Sequence, residues 1–109
     1  DVFQSCLVLY PESVWNEQMD SLRARLNRWD NKQQQVYRQF VSEAEPVQLD
    51  GNGRFLISRR CMKTVEMEAD VRFVGMGDTI EIWSVKKADE ALMDEKTFGE
   101  ELQRLLNEE

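Results

Sequence analysis

Val47-Gln48-Leu49-Asp50-Gly51-Asn52-Gly53-Arg54-Phe55-Leu56-Ile57-Ser58-Arg59-Arg60 is the stretch whose reading decides the fold. Leu49, Phe55 and Ile57 fall on alternating positions, the period of a strand with one covered face. Gly51-Asn52-Gly53 between them tolerates positive φ. The stretch therefore predicts a strand, a glycine-rich turn and a second strand over 47–57. The turn sets Asp50 against Arg54 in an Asp-x-x-x-Arg arrangement. Such a carboxylate either fixes the loop by a local ion pair or orients the guanidinium fork toward a phosphate or a guanine edge. A small β unit with a basic loop points to a binding module rather than an enzyme.

Working outward, Val71-Arg72-Phe73-Val74 and Ile80-Glu81-Ile82-Trp83 predict strands at about 70–75 and 79–84, joined at Gly75-Met76-Gly77-Asp78. The continuous apolar run Ser5–Tyr10 predicts a buried strand. Pro11 suits the first turn of a helix, where its missing N–H costs nothing. Trp15, Met19, Leu22 and Leu26 then recur at helical spacing and predict an amphipathic helix over 11–28. Asp30 or Asn31 caps a second helix, with Val36, Tyr37, Phe40 and Val41 on one face, and Pro46 stops it. Residues 58–68 read as a polar connection with room for one helical turn. A helical pattern returns from Val85, with Gly99 as a weak point and Asp94 or Thr97 as a cap for a separate final segment. The order is strand, two helices, four short strands, helix: an α+β chain with a small antiparallel sheet. Four short strands bury little apolar surface alone. Trp15, Phe40, Phe55, Phe73 and Trp83 need something to pack on, and a second copy is the simplest cover.

The net charge is −7 over 109 residues, which excludes a uniformly basic surface. Charge is unevenly spread. Gly51 to Lys63 holds four bases (Arg54, Arg59, Arg60, Lys63) and no acid, whereas Val85 to Glu109 holds four bases against eight acids. Only the local field meets a phosphate, so a basic loop and an acidic tail coexist. Arg25, Arg28 and Lys32 form a rival basic stripe if one helix runs through them. That pattern is more often a solvated face.

Other chemistries find little support. The chain has no His, which removes a Cys-His nucleophile and a His-based zinc site within it. Cys6 and Cys61 read as reduced core thiols of a cytosolic protein. Asp50-x-Asn52-x-Arg54 starts like a calcium loop but puts Arg54, Phe55 and Cys61 where an oxygen ligand, a Gly and a Glu are required. Gly75-x-Gly77 lacks the third glycine and the helix of a dinucleotide site. The carboxylates Glu66, Glu68, Asp70, Asp78 and Glu81 have no nucleophile near them in sequence. Neither a cofactor nor a metal is called for. No run approaches the roughly 20 apolar residues of a membrane span. The abrupt start at Asp1-Val2-Phe3 reads as that of a fragment.

Three motifs in order carry a family resemblance over roughly residues 5–92. Cys6-Leu7-Val8-Leu9-Tyr10-Pro11 with Trp15, Leu49-Asp50-Gly51-Asn52-Gly53-Arg54-Phe55-Leu56-Ile57, and Val74-Gly75-Met76-Gly77-Asp78-Thr79-Ile80-Glu81-Ile82-Trp83 together resemble MraZ, a bacterial regulator encoded at the head of the division and cell-wall gene cluster. The resemblance implies an AbrB-like swapped-hairpin fold occurring twice per full chain, with flanking helices. It makes residues 1–10 the end of a first repeat, 11–46 a helical linker, 47–84 the second repeat and 85–109 a C-terminal helical segment. The family's earlier Asp-x-x-x-Arg hairpin is not in this chain, and many members carry Pro where Ser58 stands.

By the same resemblance, function is sequence-specific binding of double-stranded DNA at tandem promoter repeats. The protein is expected to act as an oligomer, a ring when full length, in the cytoplasm and at the nucleoid. Arg54 carries over as the DNA-reading residue. From the residues themselves, Asp50 and Gly53 shape its loop, and Arg59, Arg60 or Lys63, bases close to it in sequence, anchor phosphates. The rivals are an assembly protein without DNA binding and an antitoxin-like module that binds a partner through the acidic C-terminal segment.

Overall fold

The structure, a computed structural model, describes residues 6–107. It is α+β, as expected, with a three-stranded antiparallel sheet ordered β1-β3-β2. Strand β1 spans Leu7–Leu9, β2 Val71–Gly75 and β3 Ile80–Ser84. Ser5, the first residue of the predicted N-terminal strand, lies outside the described residues. β3 is central because it pairs on both edges, Leu7 opposite Ile82 on one side and Phe73 opposite Ile82 on the other. The β2–β3 turn closes through the Met76 N–H on the Thr79 carbonyl at 2.9 Å, with Gly77 at φ +92°. A left-handed residue there is inexpensive only for glycine.

Two of the four strands expected in the centre of the chain are not formed. Residues 44–58 contain only the turn at 51–53, flanked by chain without ladder bonds. Across the turn, Asp50 N–H donates to the Arg54 carbonyl at 2.8 Å, and pairing goes no further. The physical reason is the absence of a neighbour. A two-stranded ribbon is marginal alone, and neither flank meets the sheet edge that would extend its ladder. We call residues 47–57 the arm.

The helices follow their capping residues. α1 (Glu12–Arg25) starts after Pro11, and α2 (Asn31–Glu43) starts at Asp30, whose carboxylate accepts from the N–H groups of Lys32 and Gln33. The predicted helix over 11–28 is thus three residues shorter at its C-terminal end than expected. Trp15 stacks on Phe40 with ring centroids 5.8 Å apart, and Tyr10 meets Trp15 edge-on at 5.3 Å, which ties both helices to the end of β1.

The polar connection contains α3 (Arg59–Thr64), capped by Ser58, whose hydroxyl accepts from the Cys61 N–H at 3.2 Å. Its C-terminus turns sharply. Met67 N–H bonds the Met62 carbonyl at 2.8 Å and Glu66 N–H bonds the Lys63 carbonyl at 3.2 Å, with Glu66 at φ +52°. This is the paired-bond helix stop that usually places glycine at the left-handed position, accompanied by an apolar contact across it. Met62 and Met67 supply that contact, since both join the core cluster of Val65, Met67 and Ile82, against which Leu7, Phe55, Ile57 and Met62 pack.

α4 (Val85–Glu90) is capped by Ser84 and held to the sheet side by Arg72–Asp89 at 3.2 Å and Lys87–Glu66 at 3.0 Å. α5 (Glu95–Asn107) is capped by Asp94, and it continues through Gly99. Its apolar residues Phe98, Leu102, Leu105 and Leu106 are exposed. The radius of gyration is 16.8 Å, against roughly 13 Å for a compact chain of about this length. Ile82 is buried, whereas Trp83, for which a second copy is the expected cover, is half-buried within this chain and donates its indole N–H to Glu81. The alternation of β3 explains the difference: the face carrying Ile82 and Ser84 meets the core, and the face carrying Glu81 and Trp83 is the less covered one.

Candidate nucleic-acid interface

The arm's tip is built by Asp50. One carboxylate oxygen accepts from the Asn52 N–H at 2.8 Å and the Arg54 N–H at 2.9 Å, and the other accepts from Arg54 Nε at 3.1 Å. Gly53 sits at φ +76° and donates its N–H back to the Asp50 carbonyl at 3.1 Å. The two backbone bonds from Arg54 and Asn52, with the Arg54 side chain adding to them, hold the Asp50 carboxyl below its ordinary range. Asp50 is therefore an anion whose two oxygens are both engaged.

The consequence for Arg54 is chemical. Its Nε is committed to Asp50, which fixes the plane of the guanidinium. Its two terminal nitrogens have no partner among the described residues, and the side chain is 73% exposed. A planar pair of donors held outward suits a bidentate acceptor, a phosphate or a guanine edge.

The other three predicted bases divide. Arg59 and Lys63 lie four residues apart on α3, one turn along the same face, and are exposed with no ion pair among the described residues. Arg60 points elsewhere. Its terminal nitrogens lie 2.9 Å from Glu45 and 3.4 Å from the Ser42 and Glu43 carbonyls, at the end of α2. Sequence alone does not mark Glu45, because an acid 15 residues before Arg60 gives no local signal.

The rival stripe does not exist as one face. α1 ends at Arg25 and α2 begins at Asn31, so Arg25, Arg28 and Lys32 never share a continuous helix. No cluster of potential metal ligands occurs among the described residues, and no helix among them is long and apolar enough to cross a membrane. Burial, with the nearby Glu81 adding to it, pushes the Cys6 thiol up to about 11, so it is no nucleophile at neutral pH. An open apolar groove of about 730 Å³ lies between the start of α1, the end of α2 and the arm, with Trp15, Phe40, Phe55 and Ile57 among its walls.

The model of the MraZ family, described as "MraZ protein, putative antitoxin-like", matches residues 40–105. A protein of Phocaeicola vulgatus called transcriptional regulator MraZ is 54% identical over 106 residues, which cover 97% of this chain and 69% of that one. Proteins of the same name from Bacteroides fragilis and Bacteroides thetaiotaomicron are 50% and 48% identical across the whole of this chain, covering 69% and 70% of theirs. No solved structure matches. The family match contains the arm, α3, the β2–β3 hairpin and α4, and the relatives extend it through α1 and α2: the chain belongs to the MraZ family, whose fold is AbrB-like.

Proposed function

We propose that this chain is the greater part of a transcription regulator that binds double-stranded DNA at tandem promoter repeats of the division and cell-wall gene cluster. The observation that carries the reading is the preorganised Arg54, held by Asp50 through its Nε with both terminal nitrogens exposed. The names of the relatives support the regulatory half of it. In this reading Arg54 contacts base edges in the major groove. Arg59 and Lys63 contact phosphates, which position the protein without specifying sequence. Arg60, the third expected anchor, is engaged by α2 and acts less directly.

One arm offers few contacts. Several arms on one oligomer, meeting several DNA repeats, raise the effective concentration and multiply weak unit affinities. The open groove, the exposed arm flanks Leu49 and Leu56 and the large radius of gyration support an assembled state, with a ring as the full-length form. In the repeat scheme residues 1–10 close a first repeat, 11–46 link the repeats, 47–84 form the second and 85–109 are appended. The pairing of β1 with β3 supports interlocking of the two repeats. The cytoplasm and nucleoid are the corresponding location.

A second reading rests on α5. Its uncovered Phe98, Leu102, Leu105 and Leu106 on an acidic segment favour a protein-binding role of the antitoxin-like kind. Titrating promoter-repeat DNA at several salt concentrations separates the two. The DNA reading predicts that the logarithm of the binding constant falls linearly with log salt, at a slope of about −0.9 per phosphate contact. Absent or salt-independent binding would leave only the protein-binding role.

A further inference from the structure

The arm has no ladder, yet it has a defined base. Its tip is closed by Asp50 and Arg54. Its base is closed by Glu45, just before the arm, and by residues just after it. Arg60 Nη2 lies 2.9 Å from Glu45 Oε1, and the Cys61 thiol donates to Glu45 Oε2 at 3.5 Å. The Ser58 hydroxyl is the largest influence holding the Glu45 carboxyl below its ordinary range, with Cys61 and Arg60 adding to it. Arg60 also donates to the Ser42 and Glu43 carbonyls. Those are among the last carbonyls of α2, which have no helical partner and carry the negative end of its dipole. α2 has no basic residue of its own in its last turn, so a cation from α3 takes the place.

We propose that Glu45 and Arg60 form a positioning clamp that fixes the base of the DNA-reading arm and sets α3, with Arg59 and Lys63, against the end of α2. This rests on the DNA-binding reading above. Neither residue need touch DNA. Phe55 and Ile57 pack one flank of the arm on the core, but the other flank has no ladder to hold it, and without the clamp Arg54 is presented correctly only part of the time. The clamp reduces that freedom before DNA arrives, and affinity rises with the fraction of arms already in place.

The clamp and a direct phosphate contact predict opposite things. Glu45→Gln removes a negative charge beside a basic loop. Electrostatics alone would tighten DNA binding, whereas loss of the clamp loosens it. Arg60→Lys keeps the charge but loses the planar fork that reaches several acceptors at once.

The experiment uses the full-length protein and duplex DNA carrying its promoter repeats. Glu45→Gln, Arg60→Gln and Arg60→Lys are each expected to weaken binding by roughly three- to thirtyfold, the scale of coupling through a contact network. The salt slope should stay that of the wild type. The Glu45→Gln/Arg60→Gln double variant should be no weaker than the worse single one, because both remove one device. Hydrogen exchange of the free protein should quicken at residues 50–54 and 58–62 in every variant. Equal or tighter binding by Glu45→Gln would overturn the clamp. So would rescue by Arg60→Lys, or a salt slope reduced by about one in Arg60→Gln, which marks a phosphate contact. Unchanged exchange overturns it whatever the DNA result. Arg54→Ala is the control: if wild type and Arg54→Ala bind alike, the DNA reading fails, and exchange still judges the clamp.

Discussion

Ile82→Ala will destabilise the protein by about 2–5 kcal/mol, the cost of emptying a packed aliphatic site. Ile82 is 2% exposed and sits on the central strand, where it meets both Leu7 and Phe73 across the ladders and joins Val65 and Met67 in the core. No neighbouring strand or helix can collapse into the space without breaking one of those ladders. The neighbouring Phe73 gives the contrast. It is 64% exposed in this chain, so Phe73→Ala should cost much less unless assembly covers it. Urea unfolding of the two variants checks this. A loss below about 1 kcal/mol for Ile82→Ala, the range of surface changes, would show that the core lies elsewhere.

Arg54→Ala should weaken binding to promoter-repeat DNA by about 1–3 kcal/mol for each arm that engages, the value of a bidentate base contact. Because several arms act together, the loss in the assembled protein will exceed that of one arm. The fold should be untouched, since the side chain is mostly exposed and the turn is closed by backbone bonds and by Asp50. Arg54→Lys separates charge from geometry. It keeps one positive charge and so most of the salt dependence, but a point charge cannot replace the fork. Discrimination between the true repeats and scrambled DNA should therefore collapse in Arg54→Lys while non-specific binding survives. Mobility-shift titrations on both duplexes measure this, and retained discrimination would remove Arg54 from base reading.

Local chemistry was legible in the sequence. Asp30 and Asp94 declare helix starts by carboxylates that accept from the next turn's N–H groups, and they do so here. Gly51-Asn52-Gly53 and Gly75-Met76-Gly77-Asp78 both give the turns they predict. Three things needed the structure. The arm's strands were read from alternation, but alternation cannot supply a neighbour for the ladder. The pairing of β1 with β3 joins residues far apart in the chain, and no short window of sequence contains both. Arg60 looked like a companion to Arg59 because the two are adjacent, yet consecutive residues on a helix point about 100° apart, and Arg60 faces Glu45 and α2. The Arg25, Arg28 and Lys32 stripe failed for a related reason: its spacing was helical, but the break at residues 26–30 removes the shared face.

DNA is expected to meet this chain at the arm tip and α3. Hydrogen exchange of the full-length protein with and without promoter-repeat DNA tests it most directly. Slowed exchange is expected at residues 50–54 and 59–63, with α5 unchanged. Protection confined to α5, or none at the arm under conditions where the DNA is bound, would contradict it.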